Sequence, residues 1–395
     1  MSEPRIFLPG STIGVMGGGQ LGRMFVHAAQ ALGYRCVVLD PDAASPAGAV
    51  AHEHLKADYL DPAALDDLAR RCEAITTEFE NVPARALEHL ARARVVAPGA
   101  SAVAICQDRA REKAHFDASG VPCAPYAVLR GGADADSDAD LAAVPASLLP
   151  GILKTARLGY DGKGQRRVAD RAQLAAAFDE LGRVDCVLEQ MLPLALELSV
   201  LVVRGADGEV VTFPVQQNLH RDGILAVTEV PAPDVDEALQ AQARRSAAAI
   251  ATGMGYVGVL CVEFFVLKDG RLVVNEMAPR PHNSGHYTMN ACDVSQFEMQ
   301  VRAMTGLPLR EPRLHSPVVM LNLLGDLWFD ADGRERAPDW AGVLALPGAE
   351  LHLYGKTQAR HGRKMGHLNV IGATAEDARA SARRACALLG LPDTW

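Results

Sequence analysis

Long hydrophobic runs are missing from this chain of 395 residues. No segment approaches the ~18 uninterrupted apolar residues of a membrane-spanning helix, so no transmembrane protein is expected. Paired cysteines are missing too: the eight stand at 36, 72, 106, 123, 186, 261, 292 and 386, with no C-x-x-C among them. That spacing argues against a zinc cluster or a disulfide framework, and free thiols in a reducing cytoplasm are the plain reading. Positive charge is short: the formal net charge of -9 argues against broad binding to nucleic acid or an anionic membrane. The Walker A pattern G-x-x-x-x-G-K-[ST] occurs nowhere. The start MSEPRIFLPGS lacks the basic and apolar runs of a signal peptide, so a cytoplasmic protein is expected. The length suggests two or three domains.

What is present begins with TIGVMGGGQLGRM. Gly17, Gly19 and Gly22 have the G-x-G-x-x-G spacing of a dinucleotide turn, and Asp40 follows where such folds hold a ribose hydroxyl. Residues 12–100 alternate short apolar strands with helical patterns, which predicts a parallel, doubly wound sheet. From 151 to about 310, strand-like runs joined by short turns, with one Ala-rich helix over 236–252, predict an antiparallel sheet of the α+β kind. A third unit, 311–395, has short strands and one helix (375–389). Asp134, Asp136, Asp138 and Asp140 lack the Gly and terminal Glu of a calcium loop and read as a solvated surface loop.

The segment GVLCVEFFVLKDGRLVVNEMAPRPHNSGH carries the most local geometry. Asp269-Gly270 is the favoured pair for a two-residue type I′ hairpin, and such a turn sets Glu263 directly across from Glu276. Opposed like charges destabilise a strand pair, and a divalent cation held by hard oxygen ligands offsets that. Regular pairing points Asn275 to the opposite face. Upstream, Lys154 ends an apolar strand and leads into a loop with Gly159, Gly162 and Gly164, whose N–H groups suit phosphates, although an ordinary mobile turn fits equally well. Glu189 and Glu197 follow at strand ends. Together these outline an ATP site with Mg²⁺. Arg280, His282 and Asn283 offer one fixed cation and neutral donors suited to a small oxyanion. Lys356, Arg360, Arg363 and Lys364 make a basic run that by itself reads as a solvated hairpin.

The segments GGGQLGRM, TTEFENVP, QDRAREK, LKTARLGYDGKGQ, LEQ, VEFF, NEMAPRPHNSGHYT and LYGK…RKMGHLN, in this order, give a chain that resembles the ATP-grasp superfamily. Within it, the resemblance is to the 5-(carboxyamino)imidazole ribonucleotide synthases of purine biosynthesis. Leu158, where that family often has glycine, and an expanded 131–140 loop are the departures.

The resemblance implies an α/β and α+β architecture in three parts. These are a Rossmann-like substrate-binding domain (1–105), an ATP-grasp domain (106–310, lid about 125–188) and a small β-rich C-terminal domain (311–395) completing the substrate site. It implies that ATP, two Mg²⁺ ions and bicarbonate carboxylate the exocyclic amine of 5-aminoimidazole ribonucleotide through carboxyphosphate. Arg109, Lys154 and the lid residues Gly159, Tyr160, Asp161, Gly162, Lys163, Gly164 and Gln165 would hold the ATP phosphates. Lys113 could assist, although a helix-surface lysine is the preferred reading. Glu189 would accept from the adenine amine with the backbone of Gln190, Met191 and Leu192 alongside. Glu197 would hold the ribose, with His220 near. Glu263 and Glu276 would bind magnesium, with Asn275 adjoining. Arg280, His282 and Asn283 would bind bicarbonate, and Tyr160 or Asp161 would position the amine. Gly19, Gln20, Leu21, Glu78, Lys356, Arg363 and Lys364 would bind the ribonucleotide, which removes the ribose role of Asp40. A helix cap by Glu80-Asn81 before Pro83 competes with a site role for Glu80. A homodimer is also implied. The alternatives are an NAD-dependent oxidoreductase, another ATP-grasp ligase acting through an acyl phosphate on a small amine, and a catalytically silent nucleotide-binding protein.

Overall fold

The computed structural model describes residues 5–132, 137–159 and 164–393. Thr12–Met16, Arg35–Leu39, Glu53–Leu55, Ala74–Thr77 and Val95–Val96 form a parallel sheet whose central strand is Thr12–Met16. This is the doubly wound unit that the alternating pattern predicts.

The glycine turn between Thr12–Met16 and helix Gln20–Ala31 is filled by the protein's own acids. Gly18 N–H donates to Asp40 Oδ2 at 2.6 Å, while Gly19 and Gly22 N–H donate to Glu78 Oε1 and Oε2 at 2.9 and 3.1 Å. Asp40 also accepts from the Tyr59 hydroxyl at 2.6 Å. It therefore has a structural task, where the sequence left it without one. A Cβ on Gly17, Gly18 or Gly19 would come within 2.8 Å of Glu78, Ser45 or Asp40 atoms. The glycine spacing is explained by close approach to these side chains, which here occupy the Gly18, Gly19 and Gly22 amides.

Among the described residues, nine strands form one large antiparallel sheet. Its order runs Leu272–Ala278, Gly258–Leu267, Leu194–Arg204, Gln216–Arg221, Ile224–Val230, Val318–Leu324, Lys364–Ile371, Ala349–Leu353, with Val210–Thr212 beside Leu194–Arg204. The strands after residue 311 thus continue the central sheet, since Val318–Leu324 pairs directly with Ile224–Val230. Helix Glu237–Gly253 buries Val200, Val262 and Phe264 on one face. Helix Gln296–Thr305 packs Phe297, Val301 and Met304 into the N-terminal core. Gln300 joins the two sheets: it accepts from Val259 N–H at 2.6 Å and donates to the Thr76 hydroxyl at 3.0 Å.

A separate four-stranded antiparallel sheet (Tyr126–Leu129, Cys186–Gln190, Gly151–Thr155, Gln165–Val168) packs on helix Arg171–Glu180 through Leu174 and Phe178. Asp138 and Asp140 lie not in the expected loop but in the first turn of helix Ser137–Ala143, where Asp140 accepts twice from the Arg130 guanidinium and Asp138 pairs with Arg183. Residues 134 and 136 lie outside the described residues.

Gly18→Ala should cost about 1–3 kcal/mol by overpacking against Ser45 and Asp40, seen as a lower denaturant midpoint. An unchanged midpoint would mean that the glycine turn is not tightly packed.

Candidate active site

A cavity of about 630 Å³ lies between the small sheet and the large one. One wall is the hairpin of Gly258–Leu267 and Leu272–Ala278, where Glu263 does pair with Glu276. The route to that pairing differs from the expected one. Leu267 N–H donates to Arg271 O at 2.9 Å, and Gly270, at φ +85°, donates to Leu267 O at 2.8 Å. The loop is therefore the three residues Lys268–Gly270, not a two-residue type I′ turn. This shifts the register by one, and a bulge at Asn275 shifts it back before Glu263. The bulge also corrects the expectation that Asn275 faces away: Asn275 and Glu276 both line the cavity.

Burial and the facing Glu276 push the Glu263 carboxyl up to about 7. Glu276 differs: burial disfavours its charge, but Arg109 and Lys154 outweigh that and hold it below the usual carboxylate range. Arg109 donates to Glu276 Oε2 at 3.2 Å and to Gly159 O at 3.4 Å.

Helix Arg109–Ala118, capped by Asp108, sets one face against this strand. The Lys113 side chain is only 1% exposed, so it is no surface lysine. Its Nζ donates to Asn275 O at 3.0 Å and lies 3.3 Å from Glu189 Oε1. Glu112 accepts from Met277 N–H at 2.7 Å, and burial raises its carboxyl to about 7. Glu112 and Lys113 were thus the residues that sequence reasoning missed or misplaced. The signal was the spacing of Arg109, Glu112, Lys113 and Phe116, which share one helix face.

Lys154 Nζ donates to Glu189 Oε2 at 2.9 Å. Both Glu189 oxygens therefore face lysines in this structure, at the stretch of the cavity wall where the adenine amine is expected. Gln190 and Met191 N–H donate to Pro125 and Pro150 carbonyls at 2.9 and 3.0 Å, so those two donors are already engaged. Leu192 lines the cavity beside them. Glu197 contacts His220 Nδ1 in a close pair. Burial alone lowers the His220 pKa, but Glu197 and the nearby glutamates reverse this and raise it.

Above the hairpin, Arg280 pairs with Glu80, which excludes the helix-cap role for Glu80; helix Ala84–Ala91 starts at Pro83 without a side-chain cap. His282 Nδ1 lies 2.9 Å from the Ser284 hydroxyl and Nε2 lies 3.4 Å from Glu263 Oε1. Burial, Arg280 and Lys364 hold His282 neutral. Asn283 Nδ2 is buried with no hydrogen-bond partner among the described residues.

Lys364 lines the same cavity. Lys356 donates to Lys364 O at 2.6 Å, and burial and Arg363 bring its pKa down to about 8 against the pull of Glu78. Arg363 donates to Gln358 O at 2.7 Å, outside the cavity wall. Gly19, Gln20, Leu21 and Glu78 do not line the main cavity either, because Glu78 closes the turn. Tyr160, Asp161, Gly162 and Lys163 lie outside the described residues. Gly159 and Gln165 flank them at the cavity; Gly164, beside Gln165, does not line it. Leu158 sits at φ +60°, a left-handed conformation that glycine adopts without strain, and is 77% exposed.

A small lid sheet over a larger antiparallel sheet, with lysines and opposed glutamates between, defines an ATP-grasp enzyme. The ATP-grasp domain family matches residues 114–297, the ribonucleotide synthetase preATP-grasp domain matches 11–107, and the phosphoribosylaminoimidazole carboxylase C-terminal domain matches 318–381. This is an ATP-dependent ligase of that superfamily, and the chain belongs to the N5-carboxyaminoimidazole ribonucleotide synthase family. It is 46% identical to the synthase of Brucella melitensis, covering 92% of this chain and 97% of that one, and 41% identical to that of Bacillus subtilis, covering 92% of each. A solved N5-carboxyaminoimidazole ribonucleotide synthetase with ADP superposes with TM-score 0.87 at 40% identity, covering 98% of both chains. The Aspergillus clavatus synthase, solved with ADP and 5-aminoimidazole ribonucleotide, superposes at 0.84 with 32% identity, covering 96% of this chain and 98% of that one.

Lys113→Met should lower stability by roughly 2–4 kcal/mol, the lower end because Lys154 still holds Glu189. Urea unfolding reads this directly, and an unshifted midpoint would mean that Lys113 is not a buried partner.

Proposed function

We propose that this protein carboxylates the exocyclic amine of 5-aminoimidazole ribonucleotide, using ATP and bicarbonate, to give 5-(carboxyamino)imidazole ribonucleotide, ADP and phosphate. The observation that carries the reading is the opposed Glu263–Glu276 pair, placed in one cavity with Arg109, Lys154 and the Arg280–Asn283 loop. Two facing carboxylates, one of them held protonated near neutrality by burial and by the other's charge, are a donor set that fits magnesium. Glu263 and Glu276 would hold it, with Asn275 adjoining. Magnesium bound there would neutralise charge on the phosphate oxygens during transfer.

Lys154, Arg109 and the 159–165 lid bind the phosphates, and Glu197 with His220 takes the ribose. Phosphate contact would draw Lys154 partly away from Glu189, leaving Lys113 to hold that carboxylate. Arg280, oriented by Glu80, and the free amide of Asn283 bind bicarbonate. Neutral His282 offers a donor without adding charge. A bicarbonate oxygen attacks the γ-phosphorus as ADP leaves, and the ribonucleotide amine captures the carboxyl carbon of carboxyphosphate, or of the CO₂ it releases, as the carbon–oxygen bond to phosphate breaks and the amine gives up a proton. Closure of the lid keeps water from that intermediate. Tyr160 or Asp161 positions the amine, and Lys356, Arg363 and Lys364 hold the ribonucleotide phosphate against the Gly19–Leu21 turn, where it would draw Glu78 off the Gly19 amide. Glu78 contacts the same ligand. A cytoplasmic homodimer belongs to this reading.

The test is ADP release with and without 5-aminoimidazole ribonucleotide, in bicarbonate-supplied and bicarbonate-depleted buffer. Absence of bicarbonate-dependent carbamate formation would overturn the proposal. Glu276→Gln, which keeps volume and removes one metal ligand, should abolish turnover and leave the thermal midpoint within a few degrees. Acidity should weaken magnesium use as well. Below about pH 7 Glu263 keeps a proton that the cation must displace, so the half-saturating Mg²⁺ concentration should rise, by up to about tenfold per unit. A magnesium requirement flat across that range would contradict the assignment of Glu263.

A further inference from the structure

One group at this cavity has no task in the reaction above. Cys261 lies two residues before Glu263 on the same strand, and alternation sends both side chains to the same face. One donor atom from each of Cys261, Glu263 and His282 lies within 4.8 Å of the other two. The Ser284 hydroxyl ties two of them together, at 3.8 Å from Cys261 Sγ and 2.9 Å from His282 Nδ1, and the Ser199 hydroxyl donates to it at 2.9 Å. His282 and Glu263 both open onto the cavity, while the thiol is fully buried behind them.

Phosphoryl transfer asks for hard oxygen ligands, and magnesium has little use for sulfur. A thiolate, an imidazole and a carboxylate with a fourth position open are instead the donor set of tetrahedral zinc. We propose that Cys261, Glu263 and His282 form an inhibitory site for a thiophilic divalent cation of the zinc class, which takes Glu263 away from magnesium.

The charges balance. The cation forms bonds to sulfur and to the carboxylate, and the thiol proton and any proton held by Glu263 leave to solvent, so thiolate and Glu263 carboxylate together match a double positive charge. The repulsion between Glu263 and Glu276 is relieved at the same time. Ligand atoms around tetrahedral zinc sit roughly 3.5 Å apart, given ~2.0–2.3 Å bonds. The cluster must therefore contract by about an ångström, and two of its three side chains border open space. Ser284 meets His282 Nδ1 with its backbone N–H at 3.3 Å and its hydroxyl at 2.9 Å, so binding through Nε2 moves the ring proton to Nδ1, where the hydroxyl accepts it as an outer partner does in metal sites. Among the described residues this is the single grouping of three such side chains close enough to share an ion, so the other seven cysteines do not compete as clusters.

The experiment titrates Cd²⁺ into the purified magnesium-loaded protein and follows the ultraviolet thiolate-to-cadmium charge-transfer band, with ATP turnover measured in parallel under Zn²⁺. One equivalent of Cd²⁺ should saturate the band. Zn²⁺ should remove turnover at saturating magnesium, and a chelator should restore it. Cys261→Ala should keep the magnesium-supported activity, lose the band and need at least about tenfold more Zn²⁺ for the same inhibition. Should the alanine variant fold poorly, Cys261→Ser keeps the volume and should lose the band equally. A band that persists in either variant, a wild type without one, or equal zinc sensitivity in wild type and variant would each overturn the proposal. The band does not depend on which substrate is carboxylated, so its presence or absence is read separately from the assigned reaction.

Discussion

Two carboxylates face each other across one hairpin, and the surrounding protein is arranged to hold that repulsion. Arg109 neutralises one of them, while Lys113 holds the backbone bulge between them and Lys154 adds its charge from the facing strand of the small sheet. All three cations answer to more than one acid: Glu276, Glu189 and Glu112 share them. The site is thus a mesh of charges in which a ligand's phosphates would compete for cations already engaged. Such pre-engagement keeps the lysines ordered, since an unpaired ammonium would not stay at this depth.

The N-terminal glycine turn shows a second use of the same economy. Its amides point where an anion belongs, and the chain supplies the anions itself through Asp40 and Glu78. Burial raises the Glu78 carboxyl even though two amide hydrogen bonds and Arg280 pull the other way. Glu78 and Lys356 also feel each other's charge, which brings the C-terminal basic segment up to this turn.

Much of the fold was legible because its patterns are local. Strand and helix alternation gave the parallel sheet, and the antiparallel runs gave the rest. The glutamate pairing was anticipated, but through two deviations that cancel: the three-residue loop moved the ladder one way and the Asn275 bulge moved it back. Bulges leave little local trace, because they depend on what packs against the strand, here Lys113 and Glu112. Asp40 and Glu80 were unreadable for a related reason. Their partners, Gly18 and Arg280, are far away in sequence, and a carboxylate pattern does not say which distant donor it will meet. The same limit hid the continuity of the large sheet past residue 311, which rests on one long-range strand pairing.

That pairing carries a consequence for solubility. An antiparallel sheet ending at Ile224–Val230 would present a row of bare peptide groups along a strand flanked by apolar side chains, a template for another chain to add to. Val318–Leu324 covers this row, and Lys364–Ile371 and Ala349–Leu353 then carry the exposed border outward to a strand bearing Glu350 and His352. The C-terminal strands, besides carrying Lys364 to the cavity, act as a guard rail that keeps the ATP-grasp sheet from growing into its neighbours.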